Sequence, residues 1–258
     1  MPPNTPPEDK RHRGIYLLPN AFTTANLFAG FYAVVQAMNG QFEIAAIAIF
    51  LAMAFDGMDG RVARLTHTQS AFGEQYDSMA DIISFGVAPA FVMYVWALHS
   101  LGRWGWLAAF IYVVGAALRL ARFNTNIEII DKRYFQGLPS PAAAALIAGF
   151  VWLAVDNKLK VGSLHLPWVA FVLTIYAGVT MVSNAPFYSG KSFALGRSVP
   201  FWVMLLFVLL FVFVSSDPPI VLFVLFVLYG LSGWVLMGWR WRKARQLSLQ
   251  RKQQRAPD

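Results

Sequence analysis

Residues 56–64 read DGMDGRVAR, and residues 73–81 read GEQYDSMAD. Four of the nine aspartates of the chain lie in these 26 positions, although the flanking segments 44–55 and 82–98 are strongly apolar. Charged side chains at the edge of an apolar run are costly to place in a membrane and usually serve a function. The stretch 56–81 therefore predicts a functional site at the ends of two membrane helices.

The spacing of the four aspartates predicts that their side chains meet. Asp56 and Asp59 are three residues apart, and Asp77 and Asp81 are four apart, so each pair lies on one face of its helix. A short connection at residues 66–71 lets the two helices run antiparallel, with the four carboxylates facing each other. Carboxylates so close together ionise jointly only around a cation. Oxygen ligands without Cys suit Mg²⁺, Mn²⁺ or Ca²⁺ rather than a structural zinc ion.

Small residues on the same two helices leave room for a ligand. Gly60, Ala63 and Gly73 leave helix surface bare, so a ligand can approach the backbone there. Arg64 lies on the same side as Gly60 and can hold a phosphate group. The two helices thus combine a cation site with a surface for a phosphorylated ligand.

The complete pattern resembles the signature of the CDP-alcohol phosphatidyltransferase family. That signature reads Asp-x-x-Asp-Gly-x-x-Ala-Arg, eight further residues, then Gly-x-x-x-Asp-x-x-x-Asp. Its defining positions are all present in this chain as Asp56, Asp59, Gly60, Ala63, Arg64, Gly73, Asp77 and Asp81. The resemblance implies transfer of a phosphatidyl group from a CDP-linked lipid, with Mg²⁺ or Mn²⁺ as cofactor and two ions expected. It also implies a six-helix catalytic core and a homodimer.

A transporter is the competing interpretation from a different functional class. In that case the Gly and Ala positions would form a helix-packing face, and the aspartates would couple ions to transport. Internal inverted repeats would favour a transporter, and none is visible in the sequence.

Composition places the chain in a membrane. Of its 258 residues 57% are hydrophobic and 13% charged, whereas soluble domains carry about 25% charged residues. Several apolar runs of ~20 residues indicate an all-α polytopic membrane protein. The chain has no cysteine, which excludes disulfide and thiolate chemistry. Its net charge of +8 comes from helix ends and tails without a basic stripe interleaved with aromatics, so nucleic acid is not expected as a partner.

About eight transmembrane helices are predicted, six in the core and two at the C-terminus. Their approximate ranges are 15–38, 42–65, 72–98, 104–123, a fifth that opens in 135–144 and ends near 155, 166–182, 199–214 and 220–239. Gly86 and Pro89 are expected to kink the third helix or relax its backbone bonding. The corresponding regions are a disordered cytoplasmic tail (1–13), a catalytic membrane domain (14–190), additional membrane helices (191–239) and a basic cytoplasmic tail, partly helical at the membrane surface (240–258).

The distribution of basic residues predicts the orientation. With eight spans and the N-terminus inside, Arg103, Lys158 and Lys160 lie outside, and the other 18 of the 21 Lys and Arg residues lie inside. This positive-inside bias places both termini and the aspartates at the cytoplasmic face. The predicted location is the cytoplasmic (inner) membrane of a bacterium, where the site opens toward soluble nucleotides and amino acids.

A polar face on the first helix bears on the donor. Asn20, Thr23 and Asn26 recur every three residues, and interhelical hydrogen bonding is one explanation for such a run. Members of the resembled family carry a similar Pro-Asn-x-x-Thr-x-x-Asn run beside the nucleotide. The resemblance therefore assigns these three residues to binding of the CDP-lipid, together with Gly60, Ala63, Gly73 and Arg64.

Later segments bear on the acceptor alcohol. The runs DIISFGVAPA (81–90), RLARFN (119–124) and FQGLPSP (135–141) are similar to the phosphatidylserine synthase branch of the family. The resemblance implies CDP-diacylglycerol as donor and L-serine as acceptor, giving phosphatidylserine and CMP. A phosphatidylglycerophosphate synthase, whose acceptor is glycerol-3-phosphate, is the nearer alternative, because either acceptor needs cationic side chains.

Individual roles follow from this reaction. Asp56, Asp59 and Asp77 are expected to hold a divalent cation, and Asp81 to complete a possible second site and to act as general base for the serine hydroxyl. A further set is expected to hold the serine carboxylate or a lipid phosphate: Arg119, Arg122 and Asn124. Arginines that extend to the membrane surface would explain the same positions without a ligand.

Overall fold

The structure, a computed structural model, describes residues 17–66, 70–125, 134–157, 165–189 and 201–253. Within these ranges the chain forms eight helical rods and one two-stranded antiparallel sheet. The predicted N-terminal tail, residues 1–13, lies outside the described residues, as do residues 254–258 of the predicted basic tail.

The third rod is built from three consecutive segments, and every other rod is a single α-helix. In chain order the elements are α1 (Leu17–Met38), α2 (Phe42–Leu65), α3 (Ala71–Asp81), a π-helical turn (Ile82–Val87, the π turn below), α4 (Ala88–Trp96), a short 3₁₀ helix (Leu98–Leu101), α5 (Arg103–Thr125), β1 (Tyr134–Gln136), α6 (Ser140–Asp156), α7 (Leu166–Val182), β2 (Pro186–Tyr188), α8 (Phe201–Ser216) and α9 (Pro218–Gln253). The limits of α2 and α7 coincide with the predicted second and sixth helices. α9 continues without a break past residue 239, where the eighth membrane helix was predicted to end.

Three helices of the described residues are long and apolar enough to cross a membrane, namely Ala71–Trp96, Arg103–Thr125 and Pro218–Lys243. The apolar helices α6 and α7 have 17 residues each. At 1.5 Å per residue that is about 26 Å, slightly less than the ~30 Å hydrocarbon core of a bilayer. The fold is thus that of a mostly helical membrane protein, and the number of eight spans stays a prediction.

Small residues let the helices pack closely around α6. Twelve of its 17 residues are buried, so α6 is the central helix, and it packs against α2, α4, α7 and α9. A Cβ on Gly115 of α5 would lie 3.1 Å from the Cα of Gly178 on α7, and a Cβ on Gly149 of α6 would lie 3.3 Å from the Cα of Phe223 on α9. Such contacts permit close approach of backbones where lipid supplies no hydrophobic driving force.

One short two-stranded sheet accompanies the helices, and the fold is otherwise helical as predicted. β1 and β2 pair antiparallel with Phe135 opposite Phe187. The turn after β1 needs Gly137, which has φ +79° and donates its amide to the carbonyl of Ala185 at 2.9 Å. The sheet ties the start of α6 to the end of α7. Strands of three residues are too short to give a readable alternation in the sequence.

The predicted disturbance near Gly86 and Pro89 takes the form of the π turn. There the amide of Ala88 donates to the carbonyl of Ile83, five residues earlier, instead of four. The turn follows Asp81 directly, so it links the site-bearing helix α3 to the buried helix α4.

Candidate active site

Three of the four predicted aspartates form a cluster. Asp56 and Asp59 on α2 and Asp77 on α3 each present an oxygen, and these oxygens all lie within 4.8 Å of one another. Two oxygens bound to the same ion at 2.0–2.6 Å are separated by at most about 5 Å. The spacing of this aspartate trio therefore fits a shared divalent cation.

The hydrogen bonding of the trio also supports a bound cation. Oδ1 of Asp77 is buried and has no hydrogen-bond partner among the described residues. Asp59 is buried as well, and its Oδ2 accepts a hydrogen bond from Thr23 Oγ1 at 3.0 Å. A buried, unpaired carboxylate oxygen is costly unless a cation satisfies it. Both the donor set and the orphaned oxygen thus suit a metal ion.

Asp81 lies beside the trio and is not one of its members. Its Oδ1 accepts a hydrogen bond from Asn26 Nδ2 at 3.2 Å, and its carboxyl group is within hydrogen-bonding reach of Asp56. Asn26 is fully buried, so this contact fixes Asp81 from α1. The prediction that four carboxylates face one another is therefore refined to three around one space and a fourth next to Asp56.

A cavity of about 360 Å³ opens at two members of the trio, Asp59 and Asp77. Its wall is formed by α1, α2, the start of α3 and the end of α5, through Pro19, Asn20, Thr23, Asp59, Gly60, Ala63, Arg64, Ser70, Gly73, Glu74, Asp77 and Phe123. Six of the seven residues predicted to bind the CDP-lipid line this wall. The seventh, Asn26, is occupied by its bond to Asp81.

The predicted small residues keep the cavity open. A Cβ on Gly60 would meet nothing within 4 Å, so the cavity reaches the backbone of α2 at that point. Gly73 faces Asn20 and Ser70, and a Cβ there would lie 3.6 Å from Asn20 Oδ1 and 3.2 Å from Ser70 Oγ. The guanidinium of Arg64 donates from Nε to the carbonyl of Gly60 at 2.7 Å, which holds it at the cavity wall.

The sequence interpretation did not predict four residues of the wall as site residues, namely Pro19, Ser70, Glu74 and Phe123. Ser70 caps α3, since its Oγ accepts a hydrogen bond from the amide of Gly73 at 3.0 Å. A serine before a helix whose first turn carries an acidic residue, here Glu74, is a readable N-terminal signal. Phe123 reaches the cavity from α5, and no feature of its local sequence indicates that.

The two predicted arginines have different surroundings. Arg119 Nη1 donates to Ser140 Oγ at 2.7 Å, while its Nε is buried without a partner among the described residues. Its charge acts on Asp56 and Asp81. Arg122 Nη1 instead donates to the Val182 carbonyl and to Oδ1 of Asn184, both at 3.1 Å.

The third residue of that predicted set, Asn124, is also engaged. Its Nδ2 donates to Ser78 Oγ on α3 at 3.1 Å. Arg119, Arg122 and Asn124 thus contact three different elements, α6, the end of α7 and α3, at the end of the molecule that carries the aspartates. Contacts inside the protein distinguish both arginines from side chains that merely extend to the membrane surface.

Comparisons with known proteins identify the family of the chain. The family described as CDP-alcohol phosphatidyltransferase matches residues 16–180, which include all four aspartates. The CDP-diacylglycerol–serine O-phosphatidyltransferase of Helicobacter pylori is 36% identical over 226 residues, covering 86% of this chain and 93% of the relative. The enzyme of that name from Methanocaldococcus jannaschii is 36% identical over 183 residues, covering 70% and 79%. That of Mycobacterium leprae is 33% identical over 185 residues, covering 70% and 61%. The chain belongs to the CDP-alcohol phosphatidyltransferase family.

Proposed function

We propose that this protein transfers the phosphatidyl group of CDP-diacylglycerol to the hydroxyl of L-serine, releasing phosphatidylserine and CMP. The observation that carries the proposal is the aspartate trio, two of whose members line an open cavity, in a chain whose relatives bear the name of this reaction. The enzyme is accordingly a phosphotransferase of phospholipid biosynthesis.

The trio Asp56, Asp59 and Asp77 would hold the divalent cation, because Mg²⁺ and Mn²⁺ both prefer carboxylate oxygens. When bound, such an ion neutralises the negative charge of the pyrophosphate and the charge that builds up on the leaving CMP phosphate. Asp81 lies next to Asp56 and would complete a site for a second ion.

The cavity would take the nucleotide end of the donor. Asn20, Thr23 and the bare backbone at Gly60 and Gly73 offer polar groups and close approach, and Arg64 offers a cation for a phosphate. Ala63 is the remaining predicted residue of that wall. Asn26 would contribute through Asp81, whose carboxylate it holds.

The acceptor side would centre on Asp81 and Arg119. In the proposed step the serine hydroxyl oxygen forms a bond to the lipid-side phosphorus while the bond from that phosphorus to the CMP phosphate oxygen breaks. Asp81 takes the hydroxyl proton, and CMP leaves with the bonding electron pair. Arg119, whose buried Nε has no partner among the described residues, would bind the serine carboxylate, whereas Arg122 and Asn124 would hold α7 and α3 around it.

Placement in the membrane is part of the proposal. All eight rods would span the bacterial inner membrane, with both tails in the cytoplasm. Residues 14–190 would form the catalytic domain and residues 191–239 the additional helices. Two copies of the chain would form a homodimer. The positive-inside bias supports this orientation, because 18 of 21 Lys and Arg residues fall on one side in this arrangement. The sheet and the arginine contacts join helix ends near the aspartates, which an eight-span arrangement places on the same side.

A substrate comparison tests the function. The purified protein is placed in vesicles with labelled CDP-diacylglycerol and is offered serine or glycerol-3-phosphate separately. We expect CMP and phosphatidylserine with serine alone, only when Mg²⁺ or Mn²⁺ is present, and loss of product on chelation. Product with glycerol-3-phosphate alone would assign a phosphatidylglycerophosphate synthase instead. Ion-driven flux without any CMP would refute phosphatidyl transfer altogether.

A further inference from the structure

The π turn carries a backbone carbonyl without its ordinary helical partner. In an α-helix the carbonyl of Phe85 would accept a hydrogen bond from the amide of residue 89. That residue is Pro89, which has no N–H and whose ring clashes with the carbonyl four residues earlier. Both effects favour a wider turn at this point, directly after Asp81.

Tyr112 of α5 supplies the missing donor. Its hydroxyl donates to the carbonyl of Phe85 at 3.0 Å, and its side chain is fully buried. A buried carbonyl left without a partner destabilises the folded protein. The turn is therefore held from the α5 side by one specific hydroxyl.

A second hydroxyl holds the turn from the α1 side. Ser84 Oγ donates to the carbonyl of Asn26 at 3.0 Å. The same Asn26 holds Asp81 through its side chain, so α1 contacts both the turn and the carboxylate before it. Gly30, one turn further along α1, makes room for this contact, because a Cβ there would lie only 2.7 Å from the Cα of Ser84.

The turn sets which way the two halves of this rod face. Each residue advances an α-helix by about 100°, and a π turn inserts one residue into the helical repeat. Asp77 and Asp81 before the turn face the site, whereas Ser84, Phe85 and Gly86 within it are buried in the core. A turn that relaxed to regular α-helix would rotate the aspartates relative to that core.

We propose that Tyr112 and Ser84 are positioning residues that fix the Asp81 carboxylate by holding the π turn against α5 and α1. Neither side chain lines the cavity at the trio. Both would act on the reaction through the direction in which Asp81 points, and this assignment rests on the proposed function of Asp81 as proton acceptor.

A matched pair of hydroxyl deletions tests the proposal. Tyr176 on α7 donates to the carbonyl of Gly230 on α9 at 2.9 Å, which is the same kind of bond away from the aspartates. Tyr112→Phe and Tyr176→Phe therefore each remove one tyrosine hydroxyl from a helix carbonyl. Both variants are compared with wild type in vesicles for kcat, serine KM, the Mn²⁺ concentration that gives half-maximal rate, and Tm.

We expect Tyr112→Phe to lower kcat about ten-fold, since small misplacement of a catalytic group is expensive, while serine KM changes less than about two-fold. Tyr176→Phe should lower Tm by about as much as Tyr112→Phe does, but it should leave kcat unchanged. An unchanged kcat in Tyr112→Phe, or equal losses of kcat in both variants, would overturn the proposal. Ser84→Ala is the second variant, and it should show the same pattern of lowered kcat with retained serine KM.

Hydrogen exchange separates failure of this inference from failure of the proposed function. If the wild type released no CMP with serine, the proposed function would fall, but the amides of residues 81–90 would still report on the turn. Tyr112→Phe should speed their exchange at least about ten-fold, as loss of ~1.4 kcal/mol of local stability requires, and Tyr176→Phe should not. Equal protection in the two variants would refute the holding role of Tyr112.

Discussion

Gly60 at the aspartate end of α2 and Gly233 on α9 have opposite surroundings. At Gly60 an added Cβ would meet nothing within 4 Å, and the bare backbone borders the cavity. At Gly233 of α9 an added Cβ would lie 2.6 Å from Cε1 of Phe187, because the ring of β2 fills that space. The same residue type therefore leaves room for a ligand in one region and for a neighbouring side chain in the other.

The two regions also differ in whether their polar groups have hydrogen-bond partners. On α9, Tyr229 donates to the carbonyl of Tyr188 at 3.1 Å, and Trp234 Nε1 donates to Thr180 Oγ1 at 3.2 Å. At the aspartate end, Oδ1 of Asp77 is buried without a partner among the described residues. Completed hydrogen bonds indicate scaffold, and incomplete ones indicate where a ligand belongs.

The largest expected effect contrasts aspartates of the two regions. Asp77→Asn should lower the rate of CMP release at least about 100-fold, because the amide removes a charged ligand from the trio. Asp217 precedes α9, and its Oδ1 accepts from the amide of Ile220 at 3.2 Å. Asp217→Asn keeps a capping oxygen and should leave the rate unchanged. CMP release at wild-type rate in Asp77→Asn would remove the trio from the reaction.

An intermediate effect contrasts the two arginines of α5. Arg119→Ala should raise serine KM at least about ten-fold, because a charged hydrogen bond is worth about 1.5–3 kcal/mol. Arg122→Ala should instead lower Tm, since its bonds to Val182 and Asn184 hold the end of α7. Steady-state kinetics with serine and CDP-diacylglycerol varied separately measure the first effect, and thermal unfolding measures the second.

Two outcomes would change that assignment. An equal rise in both KM values for Arg119→Ala would indicate a phosphate contact or a structural role. A selective rise in serine KM for Arg122→Ala would mean that its present hydrogen bonds to the end of α7 are exchanged for substrate during turnover.

The smallest effect uses two glycines with open surroundings. A Cβ on Gly60 or on Gly238 of α9 would meet nothing within 4 Å. Alanine at either position should stabilise its helix by up to about 1 kcal/mol. Only Gly60→Ala should raise the KM for CDP-diacylglycerol, by about five-fold, equivalent to ~1 kcal/mol, because its methyl group enters the cavity. If Gly60→Ala and Gly238→Ala had the same KM for CDP-diacylglycerol, the lipid donor would not approach α2 at Gly60.

The sequence allowed much of the site to be predicted because that information is local. Asp56 and Asp59 share a helix face through their spacing, and small residues beside them are readable as bare surface. The family resemblance rests on the same positions and is confirmed by the match over residues 16–180. The distinct surroundings of Arg119 and Arg122 could not be predicted, since their partners Ser140 and Val182 lie far along the chain.

By itself, the sequence determined the helical membrane class, the family and which carboxylates lie near one another, because helical periodicity and hydrophobicity depend on near neighbours. Only the tertiary structure decided that Asp81 stands beside the trio, that Asn26 holds it and that Phe123 reaches the cavity. It also decided that the Tyr112 hydroxyl donates to the Phe85 carbonyl in the π turn, although Pro89 already predicted an irregular helix there. The physical reason is that a hydrogen bond between helices depends on which faces pack together, and packing is a property of the whole bundle.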